Sequence, residues 1–391
     1  MVDASGDAAD LSALAARPAV QVETGPEAHE RHAAFCARAL CGPAQHADWV
    51  AQWARHVNPD IVFITVAEGD RRHLCLPLEV VDEGLGRVAI PVGGRHANGC
   101  FPAMTPDAAL PPPADLSAMM AKALRAVRPD IALIALSRLQ PEIGGIANPL
   151  VLPSSPASAN IALAVDLTGG FDETLQRHSG KRKRKKHRTN ERKFLEQGEI
   201  RVRTAGDGET AQRMLDAFFD LKAGRFASMG IEDVFADPAI RAFFHGLFGE
   251  AAARAEPQFI LHALEVGGEI RAVTGSSLSG NRMICEFSAI RPDEKENTSP
   301  GDYLFFEAIR EACDKGFRIY DFSVGDEPYK RLWCDIETVQ RDTLIPLNAR
   351  GRLMAAMRTG TSSLKRQIKN TPPLWAAYKS LRKLRASRAE A

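Results

Sequence analysis

The stretch FILHALEVGGEIRAVTGSSLSGNRMICEFSAI, residues 259–290, decides the fold. Three apolar runs, Phe259–Val266, Glu269–Ser279 and Arg282–Ile290, are separated by Gly267-Gly268 and Gly280-Asn281. Glycine-bearing pairs between such runs are hairpin signals, so the three read as consecutive antiparallel strands. A loop, Arg291–Gly301, then leads to a helix over Asp302–Lys315, stopped by Gly316, and to a short strand at Arg318–Ser323. Antiparallel strands followed by one helix and one more strand predict an α+β fold, with a mixed, mostly antiparallel sheet flanked by helices, rather than a doubly wound sheet.

Working upstream, Pro238–Ala255 and Gly208–Arg225 read as helices, preceded by a strand at Ile200–Thr204. Before them lie a strand at Asn160–Leu167, a helix opening near Phe171, and a basic run closed by Gly198 as a helix C-cap. A Pro/Ser/Ala-rich stretch, Pro149–Ser158, marks a boundary. The first unit carries helices at Pro26–Leu40 and His46–Val57, strand runs at Ile61–Ala67, His73–Val81 and Gly86–Val92, a helix at Leu116–Val127 and a strand at Ile131–Leu136. The expected organisation is a flexible N-terminus (1–25), an N-terminal domain (26–150), a C-terminal domain (159–347) and a basic tail (348–391).

The chain has 391 residues, 45% hydrophobic and 25% charged, enough for two or three globular domains. A formal net charge of +1 gives no general field for nucleic acid. The seven cysteines form no C-x-x-C pair and no His/Asp/Glu set has ligand spacing, so no metal site is expected. Scattered cysteines, an N-terminus without an apolar secretory segment, and no run of ~18 apolar residues predict a cytoplasmic protein.

The chemistry-bearing residues concentrate in two places. Ser299-Pro300-Gly301-Asp302 opens a helix, where first-turn N–H groups and the positive dipole end suit a phosphate or pyrophosphate. This makes Ser299, Gly301 and Asp302 cofactor-binding candidates. Tyr320-Asp321-Phe322-Ser323-Val324-Gly325-Asp326-Glu327-Pro328-Tyr329-Lys330 sets several polar groups at a strand end and its following loop, a usual place for catalytic groups.

Antiparallel strands, Ser-Pro-Gly opening a helix, Asp-Phe-Ser-x-Gly-Asp-Glu-x-Tyr-Lys and Trp333 together resemble the GNAT-like acetyltransferases of the CelD/BcsL type, named for cellulose and exopolysaccharide synthesis and related to FemAB peptidyltransferases. The basic helix ending in Phe194-Leu195-Glu196-Gln197-Gly198 also matches, and the resemblance spans roughly Asn160 to Leu347. The chain departs from it at Ile290-Arg291-Pro292, where Tyr-Asp-Pro is expected, and Ser299-Pro300-Gly301 stands in for the usual Gly-rich phosphate loop. The resemblance implies two GNAT-like domains in tandem and transfer of an acyl group, acetyl from acetyl-CoA, to an amine or hydroxyl of a polysaccharide or cell-envelope precursor. Asp321, Glu327 and Glu286 are then the catalytic-base candidates. Tyr329 is placed to protonate a departing thiolate, and Lys330 to pair with phosphate or a substrate carboxylate. The alternatives are a FemAB-like transferase using aminoacyl-tRNA and a non-catalytic GNAT-fold partner in polysaccharide synthesis.

Between Lys181 and Lys193 nine Lys/Arg face the single Glu191. A solvated helix face, a contact for cofactor phosphates, and RNA contact all fit such a run. No aromatic residue interleaves it before Phe194, so nucleic acid is not the expected partner. In the tail, Leu374, Trp375, Tyr378, Leu381 and Leu384 recur at helical spacing among basic residues, a pattern that suits an anionic membrane surface or packing on the protein itself.

Overall fold

The computed structural model describes residues 18–291 and 298–370, with side chains as far as Thr361. Residues 1–17, Pro292 and the apolar stripe Leu374–Leu384 lie outside the described residues. The first half runs β1 (Ala19–Glu23), α1 (Pro26–Cys36), α2 (Ala47–His56), β2 (Ile61–Glu68), β3 (Arg71–Asp82), β4 (Arg87–Pro91), β5 (Ala103–Met104), α3 (Pro113–Val127), β6 (Ile131–Leu139), β7 (Glu142–Ile143) and β8 (Ile146–Ala147). The second runs β9 (Ala157–Asp166), α4 (Gly170–Arg177), α5 (Gly180–Leu195), β10 (Ile200–Thr204), α6 (Gly208–Met229), α7 (Pro238–Ala252), β11 (Phe259–Val266), β12 (Glu269–Ser279), β13 (Arg282–Ile290), α8 (Pro300–Asp314), β14 (Ile319–Val324), α9 (Pro328–Arg331), β15 (Ile336–Pro346) and α10 (Ala349–Asn370).

One order of elements, β-α-α-β-β-β-α-β, occurs twice: β1-α1-α2-β2-β3-β4-α3-β6, and β10-α6-α7-β11-β12-β13-α8-β14. In each copy the first four strands are antiparallel neighbours, while the last joins its neighbour in parallel, β4 with β6 and β13 with β14. This repeat is the tandem GNAT-like fold, mixed and mostly antiparallel, as expected from the sequence. The expected flexible N-terminus is corrected in part: residues 19–23 form β1, paired from Ala19↔Ala67 to Glu23↔Phe63. Val20 and Val22 pack on the first-half core, which fixes this edge strand.

The sheet does not break at the Pro/Ser-rich boundary. It runs β1-β2-β3-β4-β6-β15-β9-β14-β13-β12-β11-β10, so β15 lies between β6 of the first half and β9 of the second. The end of the chain thus completes the sheet of its beginning. Start of the expected basic tail, α10 docks on β6 through Met354, packed with Leu133 and Ala135. Gly351 permits this approach, since a Cβ there would lie 1.8 Å from the Ala132 carbonyl oxygen.

The helices bridge the halves as well. Trp49 of α2 meets Phe243 of α7 edge-on, with ring centroids 5.0 Å apart. Both belong to a core that also takes Phe218 of α6 and Phe287 of β13. Edge-to-face aromatic pairs of this kind contribute roughly 0.5–1.5 kcal/mol beyond the area they bury. Among the described residues, no helix is long and apolar enough to cross a membrane.

Candidate active site

β13 and β14 pair in parallel only from Arg282↔Ile319 to Ile284↔Asp321, and then part. Just beyond, β13 carries an extra residue. Gly275 faces Phe287 and Ser276 faces Cys285, leaving Glu286 without a cross-strand partner. Such a bulge re-aims the side chains that follow it. Met283 and Cys285 pack towards α8, whereas Phe287 and Ala289 pack into the core beneath α6 and α7. Ser288 and Ile290 are turned towards a cavity at the open end of the two strands.

The far strand is held open by its own residues. Ser323 adopts φ 53, and its N–H donates to Asp321 Oδ1 at 2.7 Å. Its hydroxyl donates to the Cys285 carbonyl across the gap. Asp321 is buried and pairs with Arg282 at 3.2 Å; burial raises its pKa, opposed mainly by that guanidinium. Lys330 is also buried, donating from Nζ to the Val324 carbonyl at 2.8 Å and pairing with Glu327 at 2.9 Å. Asp321 and Lys330 are therefore consumed in fixing the end of β14. The sequence suggested base and phosphate roles for them; the structure places both off the cavity lining.

The cavity has a volume of about 490 Å³. Ser299, Gly301 and Asp302 at the start of α8 form one wall, Glu327 and Tyr329 another, and Lys222 and Arg225 of α6 a third. First-turn N–H groups of α8 have no intrahelical partner. Gly301 keeps the wall open, since a Cβ there would stand 2.8 Å from Ile290 Cγ2. The Asp302 carboxylate is tied to Lys186, so its backbone rather than its side chain suits an anion. Tyr329 stacks on Phe305, centroids 5.6 Å apart, and burial drives its hydroxyl pKa up.

Glu286 lies off this cavity, in a small polar pocket where the halves meet. It accepts from Ser277 Oγ at 2.5 Å and from Asn98 Nδ2, a first-half residue, at 2.8 Å. Burial pushes its pKa up to about 7 against those two donors. A carboxyl poised there at neutral pH is suited to proton abstraction.

The corresponding gap of the first half is filled by the chain itself. Cys100 bridges to Leu139 in parallel, its N–H donating to the Arg138 carbonyl at 2.9 Å and its carbonyl accepting from Gln140 N–H at 3.1 Å. The segment that plugs this gap also delivers Asn98 to Glu286.

The basic run divides in two. The helix read as opening near Phe171 breaks at Ser179, φ 59, into α4 and α5. Within α5, Lys183 lies over the Trp333 ring at 4.0 Å and His187 pairs with Glu307 at 2.7 Å while stacking on Phe306. Arg184 pairs with Asp172 at 2.6 Å. Lys181, Arg182, Lys185, Arg188 and Arg192 are exposed without an ion-pair partner among the described residues. About half of the run is thus structural, which composition alone did not reveal. Sequence reading also missed Lys222, Arg225 and Asn98. The first two share a helix face with Phe226 and Met229, a spacing of i, i+3, i+4, i+7 that was legible; Asn98 carried no signal.

A family model described as an acetyltransferase (GNAT) domain matches residues 181–331, from α5 through α9. None of the curated proteins matches the chain. Among solved structures, FemX superposes with a TM-score of 0.55 at 11% identity, covering 84% of this chain and 98% of that one. L-PGS from Bacillus licheniformis superposes with a TM-score of 0.51 at 12% identity, covering 87% of this chain and 98% of that one. A tandem GNAT protein from the clavulanic acid biosynthesis pathway gives a TM-score of 0.44 at 9% identity, over 85% and 99% of the two chains. FemX and L-PGS share the fold with this chain. The GNAT acetyltransferase domain matched over residues 181–331 surrounds the open strand pair and supports an acyltransferase enzyme; GNAT domains use acyl-CoA.

Proposed function

We propose that this protein transfers an acetyl group from acetyl-CoA to an amine or hydroxyl of a polysaccharide or cell-envelope precursor. The observation that carries the reading is the open gap of the second half. The second-half strands part onto a cavity of about 490 Å³ beside the start of α8, while the first-half gap is plugged. The residues present fit such a donor. Gly301 leaves room against Ile290, and backbone N–H groups of α8 suit a pyrophosphate. Bound acyl-CoA supplies an activated thioester carbonyl.

Glu286 takes the proton from the acceptor, and Tyr329 gives one to the departing sulfur. Asp321, Arg282 and Lys330 hold the end of β14, on which that alignment depends. The narrower CelD/BcsL resemblance is what favours a glycan or envelope acceptor. Titration calorimetry with acetyl-CoA tests the donor: affinity in the micromolar range is expected, and none at all rejects it. FemX is the likeness behind the second reading, transfer from aminoacyl-tRNA. That reading predicts salt-sensitive tRNA binding instead.

A further inference from the structure

The last two turns of α6 turn one face, Lys222, Arg225, Phe226 and Met229, into the wall of the large cavity. Lys222 Nζ stands 5.9 Å from the Phe218 ring centroid and 5.5 Å from that of Phe226. Neither Lys222 nor Arg225 has an ion-pair partner among the described residues. The carboxylates among the described lining residues are engaged elsewhere, Glu327 by Lys330 and Asp302 by Lys186. Arg291, at the end of β13, is likewise taken, by Glu269 at 2.8 Å. Among the described residues, what remains turned to the cavity is a pair of cations from one helix.

An ammonium drawn among aromatic rings and away from water is costly to keep charged without a counter-charge. That burial lowers the Lys222 pKa to about 8, with Arg225 adding to it and Glu327 and Asp233 opposing. Aromatic faces offset part of the cost. An anion bound between the two would supply the rest. Arginine and lysine together match a dianionic phosphate better than a single carboxylate, in charge and in donor number.

We propose that Lys222 and Arg225 form a phosphate subsite for the acceptor, so that the acyl group is delivered to a phosphorylated substrate. This rests on the acyl-CoA reading for the reaction, but the site itself does not. The subsite is built on α6, which leaves the start of α8 to the donor.

The test uses the full chain and inorganic phosphate. Lys222 acetylation by a water-soluble active ester at neutral pH is followed by mass spectrometry, with exposed Lys122 as reference. Phosphate at about four times its Kd should slow Lys222 roughly five-fold, by simple occupancy, and leave Lys122 unchanged. Protection should vanish in Arg225→Gln, whose fold is checked by its thermal transition. It should persist when coenzyme A is saturating. Unprotected Lys222, or protection unaltered in Arg225→Gln, overturns the proposal. So does protection by coenzyme A alone to which phosphate adds nothing, because the pair would then serve the donor. Calorimetry with coenzyme A in parallel separates the two readings: no coenzyme A affinity with phosphate protection intact rejects the donor and keeps the subsite.

Discussion

Asn98 donates from Nδ2 to Glu286 Oε2 at 2.8 Å, so a first-half residue holds the carboxyl at the bulge of the second. The bond favours the ionised carboxylate and opposes the burial that lifts Glu286 to about 7. Removing it in Asn98→Ala should raise that pKa further. The limb of the kcat/KM profile that reports the base then moves to higher pH, with the plateau rate kept to within about ten-fold. An unmoved limb would show that Asn98 only packs.

Glu286→Gln should lower kcat by roughly 10²–10⁴ and abolish the limb near pH 7. Its effect on stability has the opposite sign. Glu286 binds its proton to higher pH in the fold than in the unfolded chain, so stability falls as pH rises from the ordinary glutamate range through about 7. The glutamine variant lacks this titration. Thermal melts at pH 5 and pH 8 should differ less for it than for the parent protein; an unchanged difference would deny the raised pKa.

Tyr329→Phe removes a hydroxyl and leaves the ring stacked on Phe305. Stability should hardly change, whereas kcat should fall by roughly 10²-fold if the hydroxyl protonates the leaving sulfur. A wild-type kcat would take Tyr329 out of the chemistry.

Asp321→Asn probes the residue the sequence placed first among the bases. Asparagine still accepts from the Ser323 N–H, but leaves Arg282 uncompensated beneath the sheet. Breaking a buried pair in this way costs about 3 kcal/mol or more, to be read from urea midpoints. Any loss of kcat should be accompanied by that loss of stability, and Arg282→Met should bring the same loss. Full stability with no activity would return Asp321 to the mechanism.

These assignments mark what could be read from the chain. Gly267-Gly268 and Gly280-Asn281 gave the hairpins because turn chemistry is local, and β11, β12 and β13 follow them closely. Ser299 to Gly301 and Tyr329 were found because they sit beside a helix start and a strand end. Lys330 and Asp321 look identical in sequence to exposed polar loop residues; only the packing of β14 shows them buried. Nor does any local pattern tell β15 to pair Ile345 with Ile134, more than two hundred residues earlier. Long-range register follows from which strand edges remain open, and those are known only once both halves are assembled.

Gly301→Ala tests the donor wall and the fold together. On an exposed helix, alanine for glycine gains about 1 kcal/mol. Here the new methyl would stand 2.8 Å from Ile290 Cγ2, on a β13 side chain packed against the cluster of Phe194, Tyr303 and Leu304. Either Ile290 or the start of α8 must shift, and overpacking of this kind costs about 1–3 kcal/mol. The variant should therefore be no more stable than the parent, against its helix propensity. Moving α8 also displaces the N–H groups proposed for the donor phosphates, so acetyl-CoA affinity should fall about ten-fold or more, the equivalent of about 1.4 kcal/mol. Phosphate protection of Lys222, which α6 rather than α8 supplies, should stay as it was. A gain in stability with undiminished acetyl-CoA binding would mean that the wall at Gly301 is not tight and that the donor docks elsewhere.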